Sequence, residues 1–317
     1  MTTSALLFAL LVLPGCPATP SNGSGSLGGD PAVVAAPPKT EAAFDAARAY
    51  ADLKRQVAFG PRIPGTKGHA ACRDWIVAEL GKSLPGSVVR QDVPVTVRGA
   101  RLPMTNIGAR INPEAKTQVL LCAHWDTRPS ADQEIDPARK RRPIDGANDG
   151  ASGVAVLVEL ARMFAARRPD VGVQLVFFDG EDYGPGLEHM FLGAKVYARN
   201  PIFPKPTFGI LIDMIGDKDL GIYRETNSEA VAPDINTLVF STAKELGISA
   251  FVDEPRHEIL DDHLPLQRLG WKVIDLIDFD YGPWHTLDDT TDKCSPEALK
   301  AVGDVLAKVV YDLKPAK

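Results

Sequence analysis

Asp179-Gly180-Glu181-Asp182 sets three carboxylates within four residues, directly after the apolar run from Val171 to Phe178. An apolar run of that length reads as a strand buried on both faces. Two adjacent acids at the end of such a strand suit a divided task. One carboxylate holds a metal while the other moves a proton. A solvated acidic loop or a helix cap would look the same, so the pair gains meaning only if further ligands converge on it.

Acids and histidines recur at the ends of other predicted strands. His124-Trp125-Asp126 follows the run from Gln118. Asp149 lies in Gly146-Ala147-Asn148-Asp149-Gly150-Ala151-Ser152-Gly153, just before a helical stretch. Asp213 closes the run from Thr207 to Ile212, and Trp284-His285-Thr286 follows the last strand by a short loop. Each has an ordinary reading on its own: a hydrogen-bonded strand end for His124, a turn or N-cap for Asp149, a loop cap for Asp213, a packed aromatic pair for His285. Together they occupy the C-terminal edge of a sheet, where open α/β folds gather their functional groups. Nitrogen and oxygen ligands of this kind suit zinc, which takes four ligands and keeps one position open for chemistry.

The elements that must position these residues are readable from periodicity. Helices are expected from Thr40 with Phe44, Ala47, Leu53 and Val57 inward, over Lys67 to Leu80, over Ala151 to Ala166, over His189 to Ala198 and over most of Ala230 to Leu246. Ser295 as N-cap and Pro296 in the first helical position start the last helix. Strands are expected over Val88 to Val97, Ile107 to Ile111, Gln118 to Ala123, Val173 to Phe178, Thr207 to Ile212 and Lys272 to Ile277. Alternating strands and helices predict an α/β fold: a single domain with a central mixed, mostly parallel sheet and helices on both faces.

Composition bounds the function. The chain has 317 residues, 44% hydrophobic and 24% charged, as in an ordinary globular protein. A net charge of -6 and the lack of a basic stripe with interleaved aromatics argue against nucleic acid. Arg139-Lys140-Arg141-Arg142 is the one basic cluster and reads as a solvated loop. Beyond Cys16 there are three cysteines, Cys72, Cys122 and Cys294, with no spacing for structural zinc.

The N-terminus reads as an export signal. Ala5 to Leu13 is too short for a permanent membrane span and fits a signal-peptide core. Leu13-Pro14-Gly15-Cys16 resembles a bacterial lipobox, which would make residues 1–15 a cleaved leader and lipidated Cys16 the mature N-terminus. Residues 16–39, rich in Pro, Gly and Ser, read as a disordered tether, and 40–317 as the catalytic domain. The expected location is periplasmic or membrane-anchored, with membrane contact only through the lipid.

The order of the motifs resembles the zinc-dependent aminopeptidase-like family. Asp261-Asp262-His263-Leu264-Pro265-Leu266 and Gly282-Pro283-Trp284-His285-Thr286-Leu287-Asp288-Asp289, with Gly60-Pro61-Arg62-Ile63-Pro64-Gly65, are similar to the animal-type glutaminyl cyclases within it. The resemblance runs over roughly residues 45–313. It implies one zinc on Asp149, Asp182 and His285, with Glu181 as general acid/base. Asp213 and Asp262 would be hydrogen-bonded partners of Glu181, and Trp284 and Asp261 would contact substrate. In peptidase relatives His124 and Asp213 help hold a second zinc, with Asp126 behind the histidine. The implied reaction is an acyl transfer: N-terminal glutamine of a peptide or protein becomes pyroglutamate and ammonia leaves. A two-zinc aminopeptidase and a non-catalytic binding module are the alternatives. The chain departs from the pattern where Asp182 replaces the usual glutamate, where Cys122 is offset from the cyclase cysteine and has no partner near Val154, and where the loop after Asp182 lacks a tryptophan.

Overall fold

A computed structural model describes residues 43–315, so the expected leader, Cys16 and tether lie outside the described residues. The chain begins with two helices, α1 (Ala46–Val57) and α2 (Lys67–Ser83). Five strands follow: β1 (Val89–Val93), β2 (Thr96–Val97), β3 (Ala100–Arg101), β4 (Met104–Ile111) and β5 (Gln118–His124). A short helix α3 (Pro137–Lys140) and the central helix α4 (Ala151–Ala166) lead to β6 (Gly172–Phe178), α5 (Leu192–Arg199) and β7 (Phe208–Asp213). Then come β8 (Ile222–Arg224), α6 (Thr226–Val231), α7 (Pro233–Glu245), β9 (Phe251–Pro255), α8 (His263–Gln267), β10 (Val273–Ile277) and α9 (Pro296–Asp312).

The main sheet has six strands in the order β1-β4-β6-β5-β7-β10. β6, β5, β7 and β10 are parallel, while β4 and β1 add antiparallel to one side. The alternation along β5 shows how the sheet is covered. Val119, Leu121 and Ala123 join the core built with α1, α2, α4 and α9. Leu120 and Cys122 point the other way, into the core with Ala194 and Tyr197 of α5 and Leu266 of α8. The mixed sheet with helices on both faces is the architecture expected.

Local chemistry sets several boundaries. Ser295 accepts from the backbone N–H of Ala298 at the start of α9, with Pro296 first in the helix, as its sequence implies. The strand expected over Val88 to Val97 breaks after Val93, because Pro94 has no N–H to continue the ladder; Thr96 and Val97 pair instead with Ala100 and Arg101. The helix expected over Ala230 to Leu246 is two helices. Pro233 pushes Ala232 out of helical geometry, to φ -142° and ψ 57°. α5 starts at Leu192 rather than His189, which lies in a 3-10 turn. β8 and β9 escaped the sequence reading because Ile222–Arg224 is short and Phe251–Pro255 carries exposed acids. The basic run is solvated as expected, with Arg139 paired to Glu134, although Arg139 and Lys140 sit in α3 rather than in a loop. Cys72, Cys122 and Cys294 are buried free thiols. No helix among the described residues is long and apolar enough to cross a membrane.

Candidate metal centre

The four parallel strands deliver their C-terminal ends to one edge. β5 ends in His124 and β7 in Asp213, and the acid turn follows β6. The turn is held by Asp126, which is fully buried. Its Oδ1 accepts from the backbone N–H of Glu181 at 3.0 Å, and its Oδ2 from that of Asp182 at 3.2 Å. A single carboxylate thus fixes both acids of the pair through their backbones.

Asp149 is fixed by the turn that precedes α4. Asp289 accepts from the N–H of Asn148 at 2.8 Å and of Asp149 at 3.3 Å, and receives the Tyr281 hydroxyl at 2.8 Å. The Asn148 side chain accepts from Gly216 N–H at 2.7 Å, tying the turn to the segment after β7. Arg62, fully buried, donates to the carbonyls of Asp145, Gly146 (2.6 Å) and Trp125 (3.4 Å). Gly150 allows the turn to pass under His124: a Cβ there would lie 2.6 Å from the imidazole ring. Helix α4 therefore opens on a glycine N-cap with no side-chain bond.

Asp149 faces two neighbours. One of its oxygens lies 3.1 Å from His124 Nε2, which is also 3.1 Å from Asp213. The other lies 3.4 Å from His285 Nε2, which is also 3.4 Å from Asp182 Oδ2. Two trios result, His124–Asp149–Asp213 and Asp149–Asp182–His285, each with its ligand atoms within 4.8 Å of one another. The second fits zinc. It offers one imidazole nitrogen and two carboxylates, and Asp182 Oδ2 is a buried acceptor with no hydrogen-bond partner. Without a cation the charges are strained. Burial alone opposes an imidazolium at His285, but the carboxylates of Asp182, Asp132 and Asp149 outweigh it and push the ring up to about 11. Two non-glycine residues here adopt left-handed backbone, Met214 after Asp213 (φ 48°) and His285 (φ 54°), a conformation retained where a site requires it.

Beside this trio lies a small pocket of about 50 Å³. Asp149, Glu181, Asp182, Asp213, Asp261 and His285 line its polar side; Met190, Ile259, Phe279 and Trp284 line its apolar side. The Trp284 ring stacks on His285 with centroids 4.0 Å apart. Burial and the adjacent Asp182 charge hold the Glu181 carboxyl well above its ordinary range. Burial and the nearby Asp213 push Asp261 up to about 8.

Behind the pocket lies a buried layer of acids. Asp262 is fully buried, and neither of its carboxylate oxygens has a hydrogen-bond partner. Its expected bond to Glu181 is therefore absent from this arrangement. Asp213 accepts from His124 at 3.1 Å, and among the described residues no hydrogen bond joins it to Glu181. Asp261, His263 and Asp275 form a third trio, with His263 3.5 Å from Glu225.

The structure brings Asp149, Glu181, Asp182, Asp213, Asp261, Trp284 and His285 to one pocket, with His124, Asp126 and Asp262 directly behind. Sequence reasoning missed the roles of Arg128, Asp132 and Asp289. Arg128 follows the His124-Trp125-Asp126 motif by two residues, and Asp289 closes the motif that contains His285. Asp289 was thus within a segment already singled out, and Arg128 just past one. It also missed that Asp179, the first acid of the run, turns inward to accept from His69 Nε2 at 3.0 Å and from the N–H of Thr105.

A mixed sheet with an acidic, histidine-bearing C-terminal edge defines a zinc exopeptidase-like protein. The chain belongs to peptidase family M28, whose model matches residues 106–310. Glutaminyl cyclase from Tannerella forsythia is similar at 40% identity, with a TM-score of 0.82, over 86% of this chain and all of that one (100%). A Zn-dependent exopeptidase from Parabacteroides distasonis is similar at 37% identity, with a TM-score of 0.82, over 86% of this chain and 99% of that one. Glutaminyl-peptide cyclotransferase of Bos taurus is 24% identical over 290 residues, 79% of this chain and 78% of the relative.

Proposed function

We propose that this protein is a zinc-dependent glutaminyl-peptide cyclotransferase acting on peptides or proteins that begin with glutamine. The observation that carries the reading is the Asp149–Asp182–His285 trio with the raised carboxyl of Glu181 beside it, all facing one small pocket. These three residues would hold one zinc ion. When bound, the metal supplies a Lewis acid that polarises the γ-carbonyl of the substrate glutamine.

The residues of the chain do the rest. The pocket confines a short side chain, so the α-amine and γ-carbonyl carbon of one residue meet in a near-attack shape. Trp284 packs against the side-chain methylenes. Glu181 takes a proton from the α-amine as its nitrogen bonds to the γ-carbon. It returns that proton to the departing nitrogen as the original amide C–N bond breaks, and ammonia leaves. Its raised affinity for protons, set by burial and Asp182, suits a group that must both accept and donate. Asp261, held largely protonated near neutrality by burial, can accept from the substrate α-amine without adding a full buried charge. Incubating the protein with a glutamine-initiated peptide tests this: the peptide should lose one ammonia by mass. Release of free amino acids with no such loss would sink the cyclase reading.

A specific observation supports a second reading. The His124–Asp149–Asp213 trio is compact, and a two-zinc aminopeptidase would use it as a second metal site. The Parabacteroides distasonis relative, named a Zn-dependent exopeptidase, belongs beside that alternative. The leader leads us to propose export, with a lipid at Cys16 and residues 40–317 as the catalytic domain. Radiolabelled fatty acid retained by the parent and lost in Cys16→Ser would support the anchor.

A further inference from the structure

Arg128 and Asp132 have no part in the chemistry above, yet they touch two of the three proposed ligands. Arg128, only 8% exposed, donates through Nη1 to Asp182 Oδ1. Its Nε and Nη2 both donate to Asp132 Oδ2, at 2.8 and 2.6 Å. The other oxygen of Asp132 lies 3.2 Å from His285 Nδ1. A closed path therefore runs from Asp182 through Arg128 and Asp132 to His285. Its two ends, Asp182 Oδ2 and His285 Nε2, meet again 3.4 Å apart in the trio.

We propose that Arg128 and Asp132 act as one bracket that presets Asp182 and His285 for the metal; this rests on the ligand set assigned above. Two consequences follow from the bonds. With the metal bound, Asp132 would accept a hydrogen bond from His285 Nδ1–H and so leave the Nε2 lone pair for the metal. Arg128 occupies Asp182 Oδ1, so only Oδ2, the buried oxygen without a partner, is left for the metal. Arginine suits the task because its planar fork serves two carboxylates at fixed angles. The surrounding loop makes room for it. A Cβ at Gly184, two residues after Asp182, would come within 3.2 Å of the guanidinium. The short side chain of Asp182 gives the bracket its purpose. With one methylene fewer than glutamate it has less reach, so its carboxylate must be held where the metal is needed.

The bracket is tested by zinc affinity of the full protein, measured by competition with a chromophoric chelator. Arg128→Gln and Asp132→Asn should each weaken zinc about 10–100-fold, the usual effect of losing a group that orients a ligand. The double variant should be no worse than about the weaker single, because breaking either half opens the same path. Arg128→Lys, which keeps the charge but not the fork, should fall between parent and Arg128→Gln, and stands in if Arg128→Gln does not fold. Cobalt-loaded Asp132→Asn should show altered visible absorption, a signature of changed ligand geometry that a general loss of stability would not give. If the parent binds zinc and the singles bind within twofold of it, or if their losses multiply in the double, the bracket is wrong. If the parent itself binds no zinc, the ligand assignment fails and takes the bracket with it.

Discussion

The carboxylate of Asp126 lies 3.0 Å from the backbone nitrogen of Glu181 and accepts its hydrogen bond. The same carboxylate holds the N–H of Asp182, so the group proposed to move the proton and one proposed to hold the metal share one anchor. Asp126→Ala should leave two buried amides without an acceptor, at a cost of about 1–3 kcal/mol each. It should also lower turnover and zinc affinity together. Denaturant unfolding and chelator competition on the same variant check both. A loss of turnover with zinc binding unchanged would mean the anchor serves Glu181 alone.

Glu181→Gln keeps the shape of the side chain and removes its ability to accept a proton. Turnover on a glutamine-initiated peptide should fall about 10²–10⁴-fold, the range for a positioned acid/base. Zinc content should stay at the parental level, because Glu181 lies outside the Asp149–Asp182–His285 trio. Mass spectrometry of the peptide and metal analysis of the protein read the two effects separately.

Metal content distinguishes the two trios. A cyclase using Asp149, Asp182 and His285 should carry about one zinc per chain, and an aminopeptidase filling the His124 trio as well should carry about two. Chelation should abolish turnover and lower the melting temperature, since a ligand at 100 times its Kd stabilises by about 2.7 kcal/mol. Returning one equivalent of zinc should restore both. Full activity in the metal-free protein would overturn the assignment.

Asp278 gives a pH dependence away from the metal ligands. Burial raises its carboxyl to about 6, even though the N–H groups of Gly221 and Asp280 favour the ionised form. In the unfolded chain it ionises near its ordinary value of about 4. Between those values the folded protein holds the extra proton, so stability falls as pH rises from about 4 through 6. Asp278→Asn should flatten that part of the stability curve, measured by urea unfolding across the range. An unchanged slope would show that Asp278 is not the group responsible.

The periodic elements were legible because burial on one or both faces leaves a clear mark. α4 and β6 are almost entirely buried, and their apolar runs stand out in the sequence. β9 left no such mark, since only Phe251 of its five residues is buried. Proline explains two misplaced boundaries, at Pro94 and Pro233, where a missing N–H or a restricted neighbour overrode an otherwise continuous pattern. Asp213, Glu181 and Asp182 were legible because they end or directly follow a strand, and Asp149, Asp261, Trp284 and His285 because of the motifs that contain them. Their supports were not. Arg128 and Asp132 lie in a loop without periodicity, and only the fold brings their side chains between Asp182 and His285. Asp179 looked like a third member of an acidic cluster, but side chains in a turn need not share a direction. It points into the core, to His69.

Asp149 stands in both trios, with one oxygen toward His124 and the other toward His285. Removing the Asp149 side chain would therefore strip a ligand atom from both sets at once, whereas removing Asp182 or Asp213 would strip one set and leave the other whole. The two sets are thus not independent at that one residue.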